Sequence, residues 1–206
     1  AGLGDDLDAV LDLEQLSQAR PDDPVVVGDQ DPHRAALLLS MHDLYEEGKI
    51  GGLFAAHLNH GMRGETAERD QRFCEALCAR LAIPFLTETA DVPQYAKQHG
   101  QSPEQAAREA RYAFLARAKA HFDADVIATA HHMDDQAETL LMHLIRGSGS
   151  TGLCGMQPRN GDIIRPMLGK DRSQILSFLS AHGETYCEDE TNADTLAMRN
   201  RIRHEL

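Results

Sequence analysis

Residues 125–139 read Asp-Val-Ile-Ala-Thr-Ala-His-His-Met-Asp-Asp-Gln-Ala-Glu-Thr, and the change of period inside this stretch decides the fold. Asp125–Thr129 is a short apolar burst of the kind a buried strand makes. The acids after it open a helical pattern that runs from Asp134 to Arg146 and stops at Gly147-Ser148-Gly149-Ser150. A strand that hands over at once to a helix is the repeating unit of a parallel sheet wrapped by helices. The unit recurs upstream: Pro24–Val27, Leu53–Leu58 and Ile83–Leu86 read as strands, separated by helices near 34–47, 66–81 and 104–121. Downstream, Ile163-Ile164-Arg165-Pro166 reads as a short edge strand, with helices over Arg172–His182 and Leu196–Leu206. The expected fold class is α/β, a doubly wound and mostly parallel sheet of about five strands. The 54–61 and 128–138 segments should then lie side by side at its carboxyl edge.

Composition narrows the function classes. The 206 residues fit one main domain, 23–206, preceded by an acidic appendage over 1–22 in which Leu7, Val10, Leu11, Leu13 and Leu16 suit a short helix. A hydrophobic content of 42% without any run near ~20 apolar residues argues against a membrane role. No basic, apolar leader opens the chain, so a cytoplasmic location is expected. The missing initial Met and the charged, apolar final helix suggest a piece of a longer protein. Cys74, Cys78, Cys154 and Cys187 make no Cys-x-x-Cys pair and read as buried free thiols. A formal charge of −13 opposes phosphate, so any RNA contact must use a local basic patch or another domain.

Four segments carry candidate chemistry. His131, His132, Asp134, Asp135 and Glu138 follow a strand and start a helix, where free N–H groups and a positive dipole end collect ligands. They could cap the helix, bind a metal, move protons or hold an amine; Asp135 is expected at an exposed helix start. His57-Leu-Asn59-His60-Gly61-Met-Arg63-Gly64 follows another strand, so it belongs to the same edge or is a solvated turn. Arg108 and Arg111 share a helix face, which a salt bridge to Glu104 or Glu109 would also explain. Thr191-Asn192 ahead of Arg199-Asn200-Arg201-Ile-Arg203 is a capped turn and a basic helix.

In this order the segments resemble the tRNA(Ile)-lysidine synthetase family of the PP-loop ATP pyrophosphatase superfamily, over roughly residues 50–206. The resemblance rests on His57-Leu-Asn-His-Gly-Met-Arg-Gly64, Ala107-Arg-Glu-Ala-Arg-Tyr112, Ala128–Thr139, Arg146-Gly-Ser-Gly149, Ile164-Arg-Pro166 and Arg199-Asn-Arg-Ile-Arg-His-Glu-Leu206. It implies a Rossmann-like fold of the adenine nucleotide alpha hydrolase type. It also implies a cytoplasmic enzyme that adenylates the wobble cytidine of tRNA(Ile) with ATP and Mg2+, then lets free lysine displace AMP. It leaves room for a homodimer and places tRNA-binding domains beyond this chain. By that resemblance His131, Asp134, Asp135, Arg111 and Arg201 are catalytic, Arg111 and Arg201 at phosphates and the others at the lysine. Gly28, Asp29, Gln30, His33, His57, Asn59, Thr129 and Ala130 bind ATP, and Asp134 and Asp135 are the metal candidates.

One element departs from the family. Where the superfamily has Ser-Gly-Gly-x-Asp-Ser after its first strand, this chain has Gly28-Asp-Gln-Asp-Pro-His33. Small residues let a phosphate approach backbone N–H groups; Asp29 and Asp31 add negative charge there and Pro32 removes one N–H. Weak pyrophosphate binding is expected unless His33 and Arg34 supply cationic contacts. Two other readings stand beside the active ligase: a catalytically impaired relative that keeps the fold as a binding module, and a metal-dependent hydrolase built on His131, His132, Asp134 and Asp135 with help from His57 and His60.

Overall fold

The computed structural model describes Leu11 and residues 23–28, 33–61, 65–149, 154–184 and Ile202. The elements run β1 (Pro24–Gly28), α1 (Arg34–Glu46), β2 (Gly52–Asn59), α2 (Glu65–Arg80), β3 (Phe85–Thr89), α3 (Val92–His99), α4 (Pro103–His121), β4 (Val126–Ala128), α5 (Met133–Ile145), β5 (Arg159–Asn160), β6 (Ile163–Ile164) and α6 (Arg172–Ala181). The six strands form one sheet in the order β3-β2-β1-β4-β6-β5, parallel except for β5.

Alternation along β1 builds two layers. Val25 and Val27 join Leu53, Ala55 and Ala128 under α1, α2 and α6, while Val26 joins Ala56, Leu58 and Ile127 under Phe114, Leu115 and Ala118 of α4. Helix α3 packs on α4 through Val92, Ala96, Ala106 and Ala107. Leu11, within the segment expected to be an appendage, is buried in the larger cluster.

Four expectations change. Strand β1 lies between β2 and β4, so the 54–61 and 128–138 segments share the carboxyl edge without being neighbours. Residues 163–164 pair on both sides and are not the edge; the antiparallel β5 is, too short to carry a hydrophobic pattern of its own. β3 begins at Phe85, not Ile83, because the buried Ile83 closes the turn from α2. The stretch between β3 and α4 holds α3, capped by Asp91 accepting from Gln94 N at 3.0 Å, with Pro93 tolerated in the first turn. Residues 29–32, 62–64 and 185–201 lie outside the described residues, as does most of the stretch expected to form the final helix; Ile202 is helical and buried.

Gly28 shows how tightly α4 is seated. A Cβ there would stand 2.1 Å from Leu115 Cδ2, and Leu115 is itself buried at 1% exposure. Gly28→Ala should therefore destabilise the protein by about 1–3 kcal/mol, as overpacking does. In urea unfolding, adding Leu115→Ala to Gly28→Ala should cost less than the two single losses summed; strict additivity would contradict this contact.

Candidate functional site at the carboxyl edge

The ends of β1, β2, β4 and β6 meet at one edge, and α5 starts there. His132 is the N-cap of α5: its Nδ1 accepts the Asp134 N–H at 3.2 Å, while Asp135 Oδ2 accepts the His132 N–H at 3.1 Å. An Nδ1 that accepts puts the ring hydrogen on Nε2, which lies 3.4 Å from the same Asp135 oxygen. Backbone and imidazole thus converge on one carboxylate. Asp135 is only 4% exposed, which corrects the exposed helix start expected from sequence. The acid is turned inward because its partner is the cap residue itself. Asp134, half exposed, is the open carboxylate of the pair.

Thr129 orients the other histidine. Its hydroxyl donates to Ile164 O at 3.4 Å, so its oxygen accepts from His131 Nδ1, 3.0 Å away. Ala130 is fully buried between them. Beside Thr129, across the β4–β6 register, Arg165 is buried with Nη1 donating to Gln157 O at 2.7 Å. Gln136 of α5 holds the same segment, donating to Met156 O at 3.0 Å and accepting from Met156 N at 2.6 Å.

The neighbouring strand ends are tied to this group. His33, the N-cap of α1, sets its ring edge-on to His132 with centroids 4.4 Å apart. The His33 side chain makes no cap bond to α1, and the first turn of α1 holds no acid. Arg34 turns the other way: its Nη1 donates to His57 Nδ1 at 3.3 Å and its Nη2 to Asp70 O at 3.4 Å. The cationic contact expected of Arg34 at the loop is thus spent on β2 and α2. Burial, then Arg34, then His60 hold His57 down to about 3, so its ring is neutral. Asn59 closes the turn after β2, accepting from Gly61 N at 3.0 Å and donating to Gln71 Oε1 at 3.4 Å. An apolar cleft lined by Val27, Leu38, Ala55, Cys74, Leu77 and Phe85 opens beside Arg34 and His57.

Arg111 reaches the edge from α4, one turn before the Leu115 that lies under Gly28, with its Nε shielded from solvent. Gly28 and His33 bracket the loop; Asp29, Gln30 and Arg201 lie outside the described residues. The roles that the resemblance implied did not include His132, Glu138 or Arg165. His132 and Glu138 stood within a motif that was noted, and their burial was the unseen signal. Arg165 was hidden because a lone arginine after a two-residue strand has no pattern. Among the described residues no group of three or more His, Cys, Asp and Glu side chains gathers as a metal shell. Burial and the adjacent Cys74 push the Cys78 thiol up to about 12, so it stays protonated; Cys154, expected to be buried, is exposed.

Two outcomes follow from these contacts. Asp135→Ala removes the shared acceptor and should cost about 2–4 kcal/mol, a lost cap plus stranded buried donors, with Asp135→Asn costing less; an unchanged melting temperature for Asp135→Ala would contradict the buried cap. The unfolded chain protonates His57 near pH 6.5, but the native chain only near about 3. Unfolding therefore takes up a proton between these values, and stability falls as pH drops through the window. Between pH 7 and pH 5 the wild type should lose about 2 kcal/mol more than His57→Gln, at ~1.36 kcal/mol per unit, as read by urea unfolding at the two pH values.

Comparison with known proteins agrees with this geometry. Residues 28–206 match the profile of the PP-loop domain family. The tRNA(Ile)-lysidine synthase of Geobacter sulfurreducens is 42% identical over 211 residues, covering 97% of this chain and 44% of that protein. That of Bacteroides thetaiotaomicron is 44% identical over 152 residues, covering 74% and 36%, and that of Bacillus subtilis 40% over 176 residues, covering 84% and 37%. The chain spans less than half the length of these relatives. In fold it is similar to the U34-tRNA thiolase of Methanococcus maripaludis, with a TM-score of 0.70 at 16% identity over 88% of this chain and 64% of that one. The NH3-dependent NAD synthetase of Campylobacter jejuni gives a TM-score of 0.59 at 13% identity over 99% and 86%. The strand ends, the motifs and these relatives agree: the chain belongs to the PP-loop domain family, and its similar sequences there are tRNA(Ile)-lysidine synthases.

Proposed function

We propose that this chain is the ATP-using domain of a tRNA(Ile)-lysidine synthase. The observation that carries the reading is the His33–His132 contact that joins the β1 and β4 ends, beside a β2 end tied to α1 through Arg34 and His57, in a chain whose relatives of that name cover most of it. In the reaction the cytidine carbonyl oxygen attacks the α-phosphorus of ATP and pyrophosphate leaves. The lysine amine then attacks the activated carbon, AMP leaves with that oxygen, and the ammonium gives up its proton.

The residues divide accordingly. The start of α1, together with Gly28, Asp29, Gln30 and His33, is assigned to the phosphates. His57, Asn59, Thr129 and Ala130 surround the adenosine, whose base meets the apolar cleft beside His57. Arg111 and Arg201 stabilise charge on the transferring phosphate. His131, oriented by its bond to Thr129, is the proton acceptor, and Asp134 holds the lysine ammonium. Asp135 acts by fixing His132 and the helix start. When bound with ATP, Mg2+ neutralises phosphate charge; one open carboxylate suits it, because Mg2+ commonly takes one or two carboxylates and completes its shell with phosphates and water. Asp134 fits that description and the inward Asp135 does not.

The loop sequence favours a second reading, a relative impaired in ATP use. One like-charge contact at ~4 Å costs about 1 kcal/mol in water and ~4 kcal/mol at an effective dielectric near 20. Titration calorimetry with ATP, with and without Mg2+, is set beside a variant whose residues 28–33 are rebuilt as Ser-Gly-Gly-Pro-Asp-Ser. The rebuilt loop should bind ATP at least about tenfold tighter, ~1.4 kcal/mol; equal affinities would mean the natural loop is competent. Transfer of labelled lysine to tRNA(Ile) with ATP tests the activity itself, and its absence with both loops would refute the proposal.

A further inference from the structure

Helix α4 carries a face of which these roles use only Arg111. Arg108, Arg111, Tyr112 and Leu115 are spaced i, i+3, i+4 and i+7 and so form one stripe. Leu115 anchors it beneath Gly28. The helix runs back to the amino end of β4, so Tyr112, Arg111 and Arg108 lie ~5–10 Å further on, past the end of β1, at ~1.5 Å per residue.

Arg108 is exposed, and its guanidinium stands 4.9 Å from the centre of the Tyr112 ring. The salt bridge to Glu109 that the spacing suggested does not form. Gln101 Nε2 donates to both Glu109 oxygens at 3.0 and 2.9 Å and Gln105 Nε2 to one at 3.2 Å, and these bonds hold the carboxyl below its usual range. Among the described residues no carboxylate pairs with Arg108.

We propose that Arg108 and Tyr112 form a stacking platform for an unpaired RNA base beside the reacting nucleotide. The proposal rests on the tRNA reading above. Unstacked bases settle on tyrosine rings and guanidinium planes, and the guanidinium adds attraction for the backbone. With a net charge of −13, RNA contact has to come from local features of this kind. RNA is favoured over the ATP base because His57 and its cleft lie on the α1 side of the sheet, whereas α4 covers the opposite side. An open helix face also suits a base splayed from a polymer, while small ligands are mostly enclosed. An exposed Arg–Tyr pair would by itself steady the helix a little. Its place over the end of β1, and the removal of Glu109 from Arg108, are what point to a ligand.

The test uses an anticodon stem-loop RNA with 2-aminopurine next to the wobble cytidine, titrated at low salt into the protein and its variants. Stacking quenches this fluorophore. Tyr112→Leu should abolish the quench and weaken RNA binding about tenfold, while Tyr112→Phe should keep both. Arg108→Gln should weaken binding and flatten its salt dependence. Circular dichroism reports the helix; if Tyr112→Leu unfolds, the quench in Arg108→Gln decides. Wild-type quenching in Tyr112→Leu would overturn the platform alone, provided the wild type transfers lysine. A parallel loss of ATP affinity would show that the base is adenine and overturn it as well. A wild type that neither binds the RNA nor transfers lysine would overturn the functional reading and the platform together.

Discussion

Strand β1 is hydrogen-bonded to a parallel neighbour on each side, and its Val25–Val27 side chains are buried on both faces. Parallel pairing makes the ends of β2, β1 and β4 point the same way, and the buried faces forbid a register slip, since a shift of one residue would turn every valine to the wrong layer. Three strand ends therefore open at one edge. A charged or proline-bearing loop after β1 leaves this untouched, because the strand is held by its neighbours and α1 by its own apolar face of Ala35, Leu38 and Leu39. The fold can thus persist while the phosphate loop departs from the family pattern.

The edge is organised by buried polar contacts more than by exposed charge. One carboxylate, Asp135, serves both the backbone and the imidazole of His132, and His132 in turn meets His33 from the next strand end. His57 is kept neutral by burial and by a guanidinium that donates to it. Such contacts fix ring orientation, and leave Asp134 as the more open of the two carboxylates. A buried network of this kind carries weight because stranding any one member costs its full desolvation.

Much of this was legible in the sequence. Alternation and period placed every long helix among the described residues, and strand-to-helix junctions rich in His and Asp marked the carboxyl edge. The misses share a cause, which is that burial and competition among partners are tertiary facts. Asp135 looks like any acid in a first helical turn until His132 is seen to fold back on it. Arg108 looks like half of a salt bridge until two glutamines occupy Glu109. β3 was placed early because its last three residues, Thr87, Glu88 and Thr89, are exposed at an edge and carry no apolar pattern. α3 was missed because Pro93 reads as a breaker, although a first-turn proline loses no helical hydrogen bond.

The central claim is that the ends of β1, β2 and β4 act as one nucleotide site. Amide hydrogen exchange during a titration with ATP and Mg2+ tests it most directly. Ala35 and Ala36, the 57–61 turn and residues 131–135 should gain protection together, at one ATP concentration. Protection confined to a single strand end, or appearing only elsewhere in the chain, would contradict it.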